Sequence, residues 1–121
     1  MKENVIKDKS LLFAIRIVKL FKHLTETKKE FILSKQVLRS GTSVGAMVRE
    51  AEHAESTVDF IHKMAIAQKE MNETLYWLEL LTKTDYLSQE QFDNINNDAL
   101  EIIKLITSII KTAKSNHNKI N

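Results

Sequence analysis

Two acid–histidine pairs in the middle of the chain have the spacing of metal ligands. Glu50 and His53 form a Glu-x-x-His motif, and Asp59 and His62 repeat that spacing with a shorter acid. Four-helix bundles hold di-iron centres with two such motifs and one further glutamate from each of the other two helices. Here both motifs fall beside a predicted turn, and only Glu101 lies well inside another predicted helix. We therefore predict no metal site.

Other catalytic chemistries lack the residues that they need. The chain has no cysteine, which removes thiol nucleophiles, thiolate metal ligands and disulfides. Its serines and four histidines follow no nucleophile motif. Its two glycines, Gly41 and Gly45, do not form a phosphate-binding loop. We predict a protein with no catalytic residues, no cofactor and no small-molecule substrate.

The charges are distributed unevenly, although the net charge is only +2. Residues 1–39 carry ten Lys or Arg and four Asp or Glu, residues 40–101 carry four and twelve, and residues 102–121 carry four and none. The basic chain ends could meet the phosphates of a nucleic acid. Alternatively, they are solvated and complement the C-terminal dipole of the last helix. The residues predicted to bind nucleic acid are Lys9, Arg16, Lys19, Lys22, Lys111 and Lys114.

Apolar residues recur at helical spacing through most of the chain, which predicts four helices. Ser56 with Asp59, and Ser88 with Gln91, have the spacing of the capping boxes that start helices. The predicted helices cover about residues 10–24, 29–54, 57–84 and 88–114. They are expected to form one all-α domain over residues 1–121, an antiparallel up-down-up-down four-helix bundle. A β-sandwich or barrel is excluded, because a chain with no proline and two glycines lacks the turn residues it requires.

The bundle topology makes two predictions about neighbouring residues. The last helix should end beside the start of the first, which would gather Lys9 with Lys111 and Lys114. If the second and third helices form a hairpin that turns near Ser56, Arg39 faces Glu73. We predict an ion pair between these two residues that fixes the register of the hairpin.

The first predicted helix is more apolar than one bundle core requires. Its apolar residues fall in two rows: Leu11, Ile15, Val18 and Phe21 or Leu20 in one, and Phe13, Ile17, Leu20 and Leu24 in the other. Charged residues interrupt this stretch too often for a membrane span, and the N-terminus has no signal-peptide pattern. We therefore expect a cytoplasmic protein that makes no contact with a membrane.

Segments of the second and third predicted helices resemble one known family. These segments are Arg39-Ser40-Gly41-Thr42-Ser43-Val44-Gly45-Ala46, Glu50-Ala51, Asp59-Phe60-Ile61-His62-Lys63-Met64-Ala65-Ile66-Ala67, Lys69-Glu70 and Glu73-Thr74-Leu75-Tyr76-Trp77-Leu78-Glu79-Leu80-Leu81. Together they resemble the four-helix bundle family of the 23S rRNA intervening-sequence protein, over nearly the whole chain. One position departs from the family pattern, because Met47 stands where that family usually has an asparagine.

The resemblance implies a small bacterial protein that assembles as a homopentamer around a central channel. Some members of that family are encoded inside inserted segments of rRNA genes. Others are accessory proteins of diversity-generating retroelements, in which the pentamer binds nucleic acid and a reverse transcriptase. We expect a non-enzymatic oligomeric module whose partner is RNA or a nucleic-acid complex. The alternative is a protein–protein adaptor or accessory scaffold, for example for a reverse transcriptase, that does not bind nucleic acid itself.

Overall fold

Four helices account for nearly all of the chain in the computed structural model, which describes residues 2–120 and the side chains of residues 5–119. The helices are α1 (Lys2–Glu26), α2 (Leu33–Glu52), α3 (Thr57–Lys83) and α4 (Gln89–Ile120). Each helix packs against two others, in the cyclic order α1, α2, α3, α4, and the described residues contain no strand. The all-α antiparallel four-helix bundle predicted from the sequence is therefore confirmed.

One row of apolar side chains from each helix fills the centre of the bundle. On α1 this row contains Ile6, Phe13, Ile17 and Leu24, all at most 2% exposed. The corresponding rows of the other helices are Val37, Val44 and Val48 on α2, Met64, Met71, Leu78 and Leu81 on α3, and Ile95, Ile102, Ile106 and Ile109 on α4. Because burying a large aliphatic side chain contributes about 1.5–3 kcal/mol, these rows stabilise the fold.

The start of α1 differs from the prediction. The helix begins at Lys2, about eight residues before the predicted start, and includes the buried side chain of Ile6. Ser10 is buried inside α1, where its hydroxyl donates to the carbonyl of Lys7. A Cβ on Gly45 of α2 would lie 3.3 Å from the Ser10 carbonyl oxygen. Ser10 and Gly45 are small because the two helices touch there.

The connection between α1 and α2 explains why the predicted start of the second helix at residue 29 is wrong. The amides of Thr27 and Lys28 donate to the carbonyl of His23 at 2.9 and 3.2 Å. Lys29 then adopts a left-handed backbone, with φ 56°, which is common where a helix ends. The chain needs three more residues to turn, and α2 begins at Leu33.

The prediction that α2 continues through Gly41 is confirmed, whereas the predicted end of α4 is wrong. α2 runs without interruption through Gly41, as the predicted helix over about residues 29–54 requires. A Cβ on Gly41 would lie 2.7 Å from Cγ1 of Ile17, so the glycine permits close contact with α1. α4 does not end near residue 114 but continues to Ile120, since the polar residues there include no proline or glycine to stop a helix.

Glu30 caps the first turn of α2 and is only 8% exposed. One carboxylate oxygen, Oε2, accepts hydrogen bonds from the amides of Ile32 and Leu33, and Oε1 accepts one from Ser34 at 2.7 Å. Burial by itself would raise the pKa of Glu30, but the hydrogen bonds from the three amides outweigh it, and the pKa lies below its ordinary value of 4.5.

Replacing Glu30 by glutamine should destabilise the bundle by about 1–3 kcal/mol at neutral pH, because an NH2 group would then face a backbone N–H. A lowered folded-state pKa contributes stability above pH 4.5 that is lost as pH falls through the folded value. We therefore expect urea unfolding of Glu30→Gln to show a shallower loss of stability on acidification than the parent. Glu26→Gln, at an exposed position at the end of α1, is the matched control. Equal acid profiles for the parent and Glu30→Gln would contradict this role.

Candidate nucleic-acid interface

Two of the six predicted nucleic-acid-binding residues are held by carboxylates of α4. Nζ of Lys9 lies 2.8 Å from Oε1 of Glu101, and this hydrogen bond, reinforced by the negative charge, raises the pKa of Lys9. Arg16 pairs with Asp98 and also donates to Oδ1 of Asn94 at 2.8 Å. These pairs align α1 antiparallel to α4, and they leave both cations less available to a phosphate.

The expected cluster of Lys9 with Lys111 and Lys114 is wrong. Lys9 lies beside Glu101, and ten or more residues of α4 separate Glu101 from the two lysines. At 1.5 Å per residue, this separation is roughly 15–20 Å along the helix. The α1 helix begins at Lys2, so the end of α4 extends past it. Lys111 and Lys114 therefore lie near the end of α4, away from Lys9.

The four remaining cations, Lys19, Lys22, Lys111 and Lys114, are all exposed. Lys19 and Lys22 lie on the last turns of α1, near the start of α4. Lys111 and Lys114 lie in the last third of α4. Within the described part of the chain, none of these four side chains forms an ion pair. They are the predicted residues that remain available to an external anion.

A cleft of about 800 Å³ separates the end of α1 from the start of α4, and it was not among the features predicted from the sequence. We call it the α1–α4 cleft, and its lining residues are Arg16, Lys19, Leu20, His23, Leu87, Ser88, Glu90, Gln91, Asn94 and Ile95. The imidazole Nε2 of His23 is buried and has no hydrogen-bond partner among the described residues. The only signal in the sequence was the placement of polar residues at the start of α4, opposite basic residues of α1.

Three residues of one apolar row of α1, Leu11, Ile15 and Val18, face solvent beside Leu12, whereas Leu20 and Phe21 are half-buried. The exposed side chains, which we call the α1 stripe, are Leu11 (47%), Leu12 (61%), Ile15 (43%) and Val18 (38%). The other row, which includes Phe13 and Ile17, is buried in the core. Contiguous exposed apolar side chains of this size usually mark an interaction surface. The excess of apolar residues noted in the sequence thus forms a second face of α1.

Arg39 lies between two acids of α3. It pairs with Glu73 and with Oε2 of Glu70, the latter at 2.8 Å. Hydrogen bonds from the indole of Trp77 and from the Arg39 guanidinium lower the pKa of Glu73. Because Arg39 is half-exposed, each of these ion pairs contributes about 0–1 kcal/mol. This network joins α2 to α3 and lies away from the α1–α4 cleft.

The acids of the two metal-like motifs interact with nearby cations and backbone. Glu50 lies 3.5 Å from Nζ of Lys63. Asp59 accepts a hydrogen bond from the amide of Glu55. Residues 5–119 contain no group of three or more acids and histidines that could hold a metal ion. A bilayer-spanning helix is likewise absent from the described residues.

Comparisons with known proteins identify close similarity to one family. The sequence model of the 23S rRNA-intervening sequence protein family matches residues 2–108. A crystal structure of a protein of unknown function from the S23 ribosomal protein family of Bacteroides thetaiotaomicron is 63% identical in sequence, with a TM-score of 0.91. The match covers 92% of this chain and 99% of that one. No curated protein matches the sequence.

Proposed function

The chain belongs to the 23S rRNA-intervening sequence protein family, and from this premise we propose that it is a non-enzymatic, self-assembling module that binds RNA in the cytoplasm. The observation that carries the proposal is that four exposed lysines of α1 and α4, the helices at the basic ends of the chain, have no carboxylate partner among the described residues; they are Lys19, Lys22, Lys111 and Lys114. A lysine in this state can neutralise a phosphate and release its counterion. Lys9 and Arg16 would first have to leave Glu101 and Asp98.

Self-assembly is supported by the α1 stripe. Its four side chains are apolar, adjacent and exposed, so burying them against a second copy would remove a large apolar area from water. The family resemblance favours five copies in a closed ring. A ring also repeats each pair of unpaired lysines, and simultaneous contacts with one RNA would strengthen weak contacts by each chain.

Removing the unpaired lysines in pairs tests the RNA-binding surface. We expect the double variants Lys19→Gln with Lys22→Gln, and Lys111→Gln with Lys114→Gln, each to weaken binding of an RNA hairpin roughly tenfold at low salt. The reason is that each double variant loses two phosphate contacts. Fluorescence anisotropy of a labelled hairpin measures the effect.

The control for these variants removes the same charge elsewhere. Lys35 of α2 and Lys83 of α3 are exposed, and the described residues give neither an ion-pair partner. Lys35→Gln with Lys83→Gln should leave the affinity within about twofold of the parent. An equal loss in all three double variants would mean that net charge, rather than this surface, governs binding.

A protein–protein adaptor is the second candidate function. It is favoured by the connection between α1 and α2, where Phe31 is 53% exposed and Ile32 is 75% exposed. Two neighbouring large apolar side chains on an exposed turn could contact a partner protein. Capture of a protein partner that survives nuclease treatment and is lost in Phe31→Ser with Ile32→Ser would favour this function over RNA binding.

A further inference from the structure

The α1–α4 cleft combines an apolar floor, fixed hydrogen-bond donors and a cation at its edge. From this combination we infer that the cleft is a binding site for one unpaired nucleotide of an RNA, with the base inside and the phosphate outside. The inference rests on the proposed RNA-binding function and names the part of the RNA that this site takes. Its volume of about 800 Å³ lies in the range of roughly 300–1,000 Å³ typical of small-molecule sites.

The floor of the cleft is suited to a flat ring. Leu87 and Ile95 line it and are at most 5% exposed, so they belong to the packed core and hold a fixed position. Leu20 adds a third aliphatic side chain, and His23 adds a ring of the kind on which unstacked bases pack. The buried Nε2 of His23 shows that part of this ring is packed into the wall.

Two side-chain amides at the cleft are held in place with their donors free. The carbonyl oxygen of Asn94 accepts from Arg16, and that of Gln91 accepts from the amide of Ser88 at 2.9 Å. Each contact fixes the orientation of the amide, and the NH2 groups have no partner among the described residues. An amide NH2 donates to the ring nitrogens and carbonyl oxygens of bases.

The charges at the cleft favour the base over the phosphate as the group that enters. Glu90 lines the cleft, and its carboxylate would repel a phosphate but can accept from the exocyclic amine of a base. Lys19 also lines the cleft, and Lys22 lies one turn further along α1. Both are exposed and can contact the phosphates on either side of the bound nucleotide.

The nucleotide must be unpaired. In an RNA duplex the Watson–Crick edges are already used, and the deep, narrow major groove excludes side chains. Loops and bulges can turn a base outward at modest cost, so a site that takes a single base selects them. We therefore expect this protein to bind a hairpin loop at least tenfold more tightly than a blunt duplex of the same length.

The test is an NMR titration of the whole protein with the four ribonucleoside 5′-monophosphates, which measures the site without requiring RNA binding. We expect saturable shifts of the side-chain amides of Gln91 and Asn94 with at least one nucleotide. Ribose 5-phosphate, which lacks the base, should leave these signals unchanged. Shifts of equal size with ribose 5-phosphate, or no shifts with any nucleotide, would overturn the inference.

A pair of matched variants extends the test to RNA. Asn94→Leu removes a side-chain amide from the cleft, and Asn97→Leu makes the same change one turn further along α4, at an exposed residue that does not line the cleft. We expect Asn94→Leu alone to abolish the preference for the hairpin loop. If the parent binds the hairpin loop and the duplex with equal affinity, and the lysine variants bind both RNAs more weakly, the inference fails and the proposed function stands. Nucleotide shifts without any RNA binding would contradict the proposed function but support the nucleotide site.

Discussion

Two acidic substitutions in the α1 stripe, Leu11→Glu with Ile15→Glu, should convert the assembled protein to a monomer of 14.0 kDa. In the assembly we propose, these side chains are buried between copies. Burying a carboxylate without a partner costs several kcal/mol, and the same interface loses the burial of two large aliphatic groups. A combined loss of this size would weaken association by several orders of magnitude. Analytical ultracentrifugation measures the change.

The bundle itself should tolerate these substitutions, because both side chains already face solvent. Helix content from circular dichroism and the urea midpoint should therefore stay close to those of the parent. The matched control is Leu100→Glu, since Leu100 of α4 is 43% exposed, as Ile15 is, but lies outside the α1 stripe. Leu100→Glu should remain assembled. A variant of the α1 stripe that keeps the mass of the parent would show that another surface joins the copies.

RNA affinity should fall steeply with salt. If a bound hairpin engages the four unpaired lysines of one chain only, raising monovalent salt from about 50 to 200 mM should weaken binding by roughly 50- to 150-fold, and contacts from further chains should make the loss larger. The size of this loss of affinity depends on the number of counterions released, so it reports how many lysines contact phosphates. Titration of a labelled hairpin at four or more salt concentrations gives the slope of log affinity against log salt.

The slope also distinguishes which lysines are used. Lys19→Gln with Lys22→Gln should lower its magnitude by about two, because two phosphate contacts are lost from one chain. The control variant Lys35→Gln with Lys83→Gln should leave it unchanged. A parent slope near zero would contradict an electrostatic mode of binding.

The sequence predicts a helix start well where the residues that cap the helix lie within a few positions of one another. The capping box at Ser88 is present, because its hydroxyl accepts from the amide of Gln91 at 3.1 Å and the Gln91 side chain accepts from the Ser88 amide. Ser56 caps α3 by accepting from the amide of Asp59 at 3.0 Å. The start of α2 was missed because the left-handed turn at Lys29 uses no glycine, which is the usual sign of such a turn.

The candidate interface was less predictable, because it depends on how distant residues align. Lys9 and Glu101 are 92 residues apart, and Arg16 and Asp98 are 82 apart. The sequence identified these basic residues but could not say which ones α4 neutralises. The exposed row of α1 was anticipated as excess apolar surface. The α1–α4 cleft was not, since it forms where the connection before α4 meets the last turns of α1.

Size-exclusion chromatography with light scattering, on nuclease-treated protein mixed with a defined RNA hairpin at about 50 mM salt, tests assembly and RNA binding together. The proposed function predicts that the protein alone has a mass of about 70 kDa, five times the 14.0 kDa chain. It also predicts that added hairpin elutes with the protein and increases its mass by that of the bound RNA. A 14.0 kDa protein that elutes separately from the hairpin would contradict both parts of the proposal.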